Sequence, residues 1–239
     1  MSNLASVLTD AAKRYPQRPA LCVEGTVLTV LELDELSAHV AGGLLAHGVR
    51  PGDRVEVRLP GLLVFPVLYF GALRAGAVVV TTVAPTSRPS AARPRGAARG
   101  ARLMFAPPEA LLVADEGASD TTVVRVGPDF LTQLRFWPQH SGVVHRDDDH
   151  VAILVDTGGQ GHPTQHHVLT HGAARTDAAA AAHAGATTDS ARDVSQSVPH
   201  FCAPRELPAP DTVARAVVSL FMPPRHPVCG LAPSLSRPS

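Results

Sequence analysis

Aromatic residues make up only 4% of the 239-residue chain. Any core must therefore be built from Val, Leu and Ala rather than from rings, and a 45% hydrophobic content is enough to build one. Lysine is almost missing. Of 21 basic residues, Lys13 is the single lysine, so lysine chemistry elsewhere in the chain is excluded. Net charge is also missing, with 21 basic residues against 21 acidic ones. A neutral chain has no long-range field to draw in nucleic acid or an acidic membrane, and neither partner is expected. The three cysteines, Cys22, Cys202 and Cys229, are far apart and form no CxxC pair. That excludes a disulfide framework or a zinc ribbon and favours a reducing, cytoplasmic setting. No long apolar run occurs either. The most apolar stretch, 62–83, is broken by Pro66, Arg74 and Gly76, so a buried helix and a buried strand are expected there instead of a membrane span.

What is present alternates between two periods. Leu4, Val7, Leu8 and Ala11 recur at helical spacing, and that helix must end before Pro16. Residues 20–23 and 27–29 read as two short strands about a turn at Gly25. Thr29 and Glu32 then form a capping-box pattern, opening a helix to about His47 with Gly48 at its C-terminal stop. Residues 54–59 alternate as a strand should. A helix starting near Pro66 and ending at Arg74 follows, because proline is tolerated only in a first turn. The β-branched run at 77–83 predicts a strand covered on both faces. Further short strands are expected at 103–105, 111–113, 122–126 and 151–155, with a helix over 129–136. This alternation defines an α/β chain.

Two segments break the pattern. Residues 87–102 hold five arginines and two prolines but no acid and no aromatic. An exposed connector explains this better than a nucleic-acid arm, which would need rings to stack on bases. Beyond Thr170 the signal weakens: the alanine run 178–182 is helix-prone, 214–222 reads as a strand, and prolines accumulate from Pro199 onwards.

The strand at 151–155 runs directly into Asp156, Thr157, Gly158, Gly159, Gln160, Gly161, His162, Pro163 and Thr164. Glycines let backbone amides close around an anion with no Cβ in the way, and threonine adds a hydroxyl donor. The spacing is neither GxxxxGK[ST] nor GxGxxG. Segment 147–171 as a whole resembles the signature of the adenylate-forming superfamily, the AMP-binding acyl-CoA synthetases. There a strand leads to T-S-G-T-T-G-x-P-K-G and then to a short strand closing in L-T-H. Residues 156–163 fall on the first eight positions, and Leu169, Thr170 and His171 match the closing triplet after one extra residue. Segments 28–33, 48–55 and 71–78 resemble the front half of the same family, nearest its long-chain fatty-acid members.

The resemblance implies the N-terminal part of a large layered sheet-and-helix domain over 1–175, with 176–239 a degraded continuation or poorly ordered, proline-rich tail. It implies a ligase of fatty acid metabolism: a carboxylic acid and ATP form an acyl-adenylate, and coenzyme A then takes the acyl group. ATP with Mg2+ is the implied cofactor. Thr157, Gly158, Gly159, Gln160, Gly161 and Thr164 are the implied phosphate-loop residues. The sequence departs from the pattern at costly places. Thr164 stands at the lysine position, and Asp156 puts a carboxylate beside the expected phosphate. At about 4 Å and an effective dielectric of about 20, that repulsion is about 4 kcal/mol. The family's later motifs and its lid with the catalytic lysine have no counterpart in the sequence. A truncated enzyme, weak or inactive alone, is therefore expected, with no catalytic residue of its own. The alternative is a non-catalytic binding module that works with a separately encoded C-terminal partner.

His162, His166, His167 and His171 cluster, and His167 and His171 have i, i+4 spacing. They are read as solvated loop histidines, since the family comparison makes the segment strand and turn. Asp147, Asp148 and Asp149 are read as a solvated lead-in. A hydrolase set from Ser195, Ser197, His200 and Asp193 lacks a G-x-S-x-G elbow.

Overall fold

The computed structural model describes residues 3–23, 26–59, 63–83, 100–108, 121–157 and 165–177. Near the N-terminus, helix α1 (Ser6–Arg14) places Leu8 and Ala12 in the core, beside Leu4 of the preceding turn. Strands β1 (Pro19–Val23) and β2 (Thr26–Thr29) form the expected antiparallel hairpin. Helix α2 (Val30–Ala46) starts on the expected capping box: the Glu32 amide donates to Thr29 Oγ1 at 3.2 Å, and the Thr29 amide to Glu32 Oε2 at 2.8 Å. The Thr29 backbone bond, which favours the ionised form, holds the Glu32 carboxyl below its ordinary range. Gly48 takes φ +77° just past the helix, the left-handed stop that only glycine adopts freely.

Next come β3 (Arg54–Val57), α3 (Val64–Arg74), β4 (Val78–Val83), β5 (Ala101–Ala106), β6 (Thr122–Arg125), α4 (Phe130–Leu134), β7 (Val151–Thr157) and β8 (Gln165–Thr170). Pro66 lies in the first turn of α3, where its missing amide costs nothing. Strand β3 stops two residues short of the expected 59, although the Arg58 amide still donates to the Phe105 carbonyl. Helix α4 is shorter than the predicted 129–136. The expected strands at 111–113 and 214–222 and the helix at 178–182 lie outside the described residues.

The main sheet has the order β6-β5-β3-β4-β7-β8. All its pairings are parallel except β7 with β8, which is antiparallel. One face, carrying Val55, Val57, Val79, Leu103, Phe105, Ile153 and Val155, packs with α1, α2 and α3 around Leu8, Leu33, Val40, Leu44, Val67 and Phe70. On the other face Glu56, Val80 and Met104 are buried too. Both faces of β4 are thus covered, as its unbroken β-branched sequence predicts. Each fully buried Leu or Phe stabilises such a core by about 1.5–3 kcal/mol.

Candidate functional site

In an open parallel sheet every strand carries its carboxyl end to the same edge, and ligands bind in the crevice there. The register puts the candidate loop at that edge. Thr157 closes β7 beside Val83, the last residue of the central strand β4. Across the hairpin Thr157 pairs with Gln165 and Asp156 with His166. The two residues that flank 158–164 are therefore paired at the carboxyl edge of the parallel sheet. Of the expected phosphate-loop residues, the backbone of Thr157 is placed at the loop's root. Gly158, Gly159, Gln160, Gly161 and Thr164 lie outside the described residues, as do Ser195, Ser197, His200 and Asp193. His166 and His167 sit on a strand, so the helical i, i+4 relation between His167 and His171 does not apply.

His171 is a correction. Expected in solvent, it is fully buried at the foot of the hairpin, where a helical segment, 171–177, begins. Its Nδ1 accepts from the Leu4 amide at 3.0 Å, and its own amide donates to the His150 carbonyl at 3.0 Å. Burial chiefly, with Arg146, Arg175 and His150 adding repulsion and Asp148 opposing, holds the ring's pKa down at about 4. The aspartate run is exposed as expected. His145 Nε2 lies 3.0 Å from Asp147 Oδ1, and Asp148 pairs with Arg175.

Three other polar residues carry structure that periodicity did not reveal. Asn3 is buried and donates to the carbonyls of Leu73 and Val144, both at 2.8 Å. Arg74 is buried on Asp34 and Ser37. Glu56 is buried in β3 beside Arg58. The available signal was an interruption: Glu56 is the lone acid inside an apolar alternation, and Arg74 ends an otherwise apolar helix. A separate depression of about 340 Å³ is lined by Leu28, Glu32, Glu35, Leu36, His39 and Arg135, none of which belongs to the strand-edge hairpin.

The described chain is thus a mostly parallel α/β sheet whose carboxyl edge carries the paired residues Thr157 and Gln165 that flank the glycine-rich segment. The family model described as AMP-binding enzyme matches residues 8–203, and the chain belongs to that family. Among curated relatives, triostin synthetase I of Streptomyces triostinicus is 43% identical over 77 residues, 32% of this chain and 15% of that protein. The long-chain-fatty-acid–CoA ligase of Yersinia pestis is 41% identical over 83 residues, 33% of this chain and 14% of the relative. Among solved structures, a fatty acyl CoA synthetase from Mycobacterium tuberculosis superposes with a TM-score of 0.61 at 22% identity, covering 81% of this chain and 39% of that one. ATP-bound MatB from Rhodopseudomonas palustris gives a TM-score of 0.57 at 21% identity, covering 76% and 36%. The aligned part thus spans about one seventh of the curated relatives and well under half of these solved chains. The expected fold, the N-terminal part of an adenylate-forming enzyme's large domain, is the observed one. Among the described residues, no helix is long and apolar enough to cross a membrane.

Proposed function

We propose that this chain carries the nucleotide-phosphate portion of an AMP-forming acyl-CoA ligase, with the loop 157–164 as a weakened polyphosphate cradle. The observation that supports this most is the register: Thr157 and Gln165, which flank the glycine-rich loop, pair directly at the carboxyl edge beside β4. Backbone amides of Gly158, Gly159 and Gly161, the Gln160 amide and the hydroxyls of Thr157 and Thr164 are donors suited to phosphate oxygens. ATP would arrive as its Mg2+ complex. The metal would offset charge that Thr164, lacking an ammonium group, cannot, and Asp156 makes that offset more necessary. A carboxylic acid such as a fatty acid, and coenzyme A, are the co-substrates this reading implies, in the cytoplasm.

Catalysis by this chain is weak, because charge builds on the leaving pyrophosphate and each lost donor there typically costs 10²–10³ in rate. A purely binding role is the second reading, and the Thr164 and Asp156 replacements favour it. We infer a folded unit over 1–175, which limited proteolysis checks by the end point of the resistant fragment. The decisive measurement is ATP–Mg2+ titration by calorimetry on the wild type and on Thr164→Lys. A charge-assisted contact is worth about 1.5–3 kcal/mol, so the lysine should tighten ATP at least about tenfold. Unchanged affinity in the variant sinks the cradle. Pyrophosphate release dependent on both ATP and a fatty acid separates weak catalysis from binding alone.

A further inference from the structure

The fully buried His171 lies at the hairpin's foot, at the far end of β7 and β8 from the candidate loop. Because Nδ1 accepts the Leu4 amide, the neutral ring carries its proton on Nε2, which finds no hydrogen-bond partner among the described residues. The groups around it are mostly cationic. Arg146, His150 and Asp148 face it from the segment before β7, and Arg175 from the helical segment 171–177, where Arg175 is already paired with Asp148. Among the described residues, the N-terminal segment presents no charge to the ring at this point, only the Leu4 amide and the neighbouring Asn3, which is tied to Leu73 and Val144.

We propose that His171 is a proton-sensitive latch for the N-terminal segment: its neutral ring holds residues 3–14 against the foot of the β7–β8 hairpin, and one bound proton frees them ahead of the sheet. The chemistry is a single proton uptake. A solvent proton takes the Nδ1 lone pair, so that two N–H groups, of the ring and of Leu4, face each other where one donor met one acceptor. The new charge is buried, with two guanidinium groups nearby. Opening the segment returns the ring to solvent, where it holds the proton at the ordinary value of 6.5 against about 4 when latched. The sign follows. Above pH 6.5 neither state is protonated and opening is independent of pH. Between 6.5 and about 4 only the opened state binds the proton, and opening grows about tenfold per pH unit. Below about 4 both states bind it and the dependence levels off.

Hydrogen exchange resolved by residue, on the full chain between pH 7 and 4, tests the latch. Protection factors, with the intrinsic pH dependence divided out, should fall for Leu4 and the α1 amides by roughly 100-fold over that range. Those of β4 and β7 should hold. His171→Asn keeps an acceptor near the Nδ1 position and cannot titrate, so its Leu4 profile should be flat. A flat wild-type profile, an equal slope in His171→Asn, or simultaneous loss in α1 and the sheet overturns the proposal. Should the variant fail to fold, nitrogen-labelled histidine in the wild type decides. Protonation of His171 Nδ1 must track the shift of the Leu4 amide, and protonation that leaves that amide unmoved refutes the latch.

Discussion

Replacing Asp34 by alanine should destabilise the fold by about 3 kcal/mol, and the reason lies in an ion pair that by itself contributes little. Arg74, with 2% of its side chain exposed, closes α3 and reaches back to α2. Its Nη2 donates to Asp34 Oδ1, and its Nη1 donates to the Asp34 carbonyl and to Ser37 Oγ, all at 2.7 Å. At that distance the gross attraction is about 6 kcal/mol for an effective dielectric of about 20. Desolvation outweighs it for both partners. Burial raises the Asp34 carboxyl despite the pull of Arg74, and burial lowers the Arg74 guanidinium despite the pull of Asp34. The intact pair is therefore close to neutral for stability, whereas either charge left alone is not.

Losing one partner of a buried pair typically costs 3–5 kcal/mol. The low end applies to Asp34→Ala, because the Asp34 carbonyl and Ser37 Oγ still accept from Arg74. Ser37→Ala removes one acceptor from a charged donor and should cost about 1–2 kcal/mol. Urea unfolding followed by the fluorescence of Trp137, the only tryptophan, measures both. At this chain length 3 kcal/mol corresponds to about 6–12 °C in Tm. The double variant Asp34→Leu/Arg74→Met removes both charges and should lie within about 1 kcal/mol of the wild type. The reasoning fails if Asp34→Ala costs under about 1 kcal/mol, or if the double variant is as unstable as the two single changes added together.

Two glycines in α2 should resist alanine, despite a helix-propensity gain of about 1 kcal/mol. A Cβ on Gly43 would lie 2.0 Å from the Trp137 ring, and one on Gly42 would lie 2.1 Å from the Pro138 carbonyl oxygen. Overpacking costs about 1–3 kcal/mol, so both variants should lose stability. Gly42→Ala should be the worse, since its neighbour is backbone, and the Trp137 emission maximum should move in Gly43→Ala; a stability gain in either contradicts the packing. Thr29→Ala should cost about 1 kcal/mol by opening the capping box at α2, read from the same urea curves. Glu32→Gln should cost less, because an amide oxygen can still accept from the Thr29 amide.

Local rules made most of the architecture legible. The capping box, Gly48, Pro66 and the β-branched run of β4 each report on a few adjacent residues, and each element came out where its signal stood. Strand β3 ended early and α4 came out short, because element ends depend on pairing partners that a single segment does not encode. The polar interior was harder to read. His171 belongs to a run of histidines that looks solvated, and its burial comes from Leu4, which lies 167 positions away in the chain. Arg74 meets Asp34 across 40 positions and Asn3 meets Val144 across 141. No periodicity within a window reports such contacts. The phosphate-loop reading rests on the family resemblance alone, and residues 158–164 lie outside the described structure.

Among the described residues, the core is held by side chains other than those proposed to meet phosphate. It is built mainly from aliphatic positions of α1, α2, α3 and the sheet, and the loop 158–164 follows β7 in the chain. The ends of that loop are set by the β7–β8 ladder, down to the Thr157–Gln165 pair, and that ladder is made by backbone groups that any side chain leaves in place. A lysine at position 164 would add charge where the proposed cradle expects phosphate. Introducing that one side chain therefore tests the proposed phosphate binding directly.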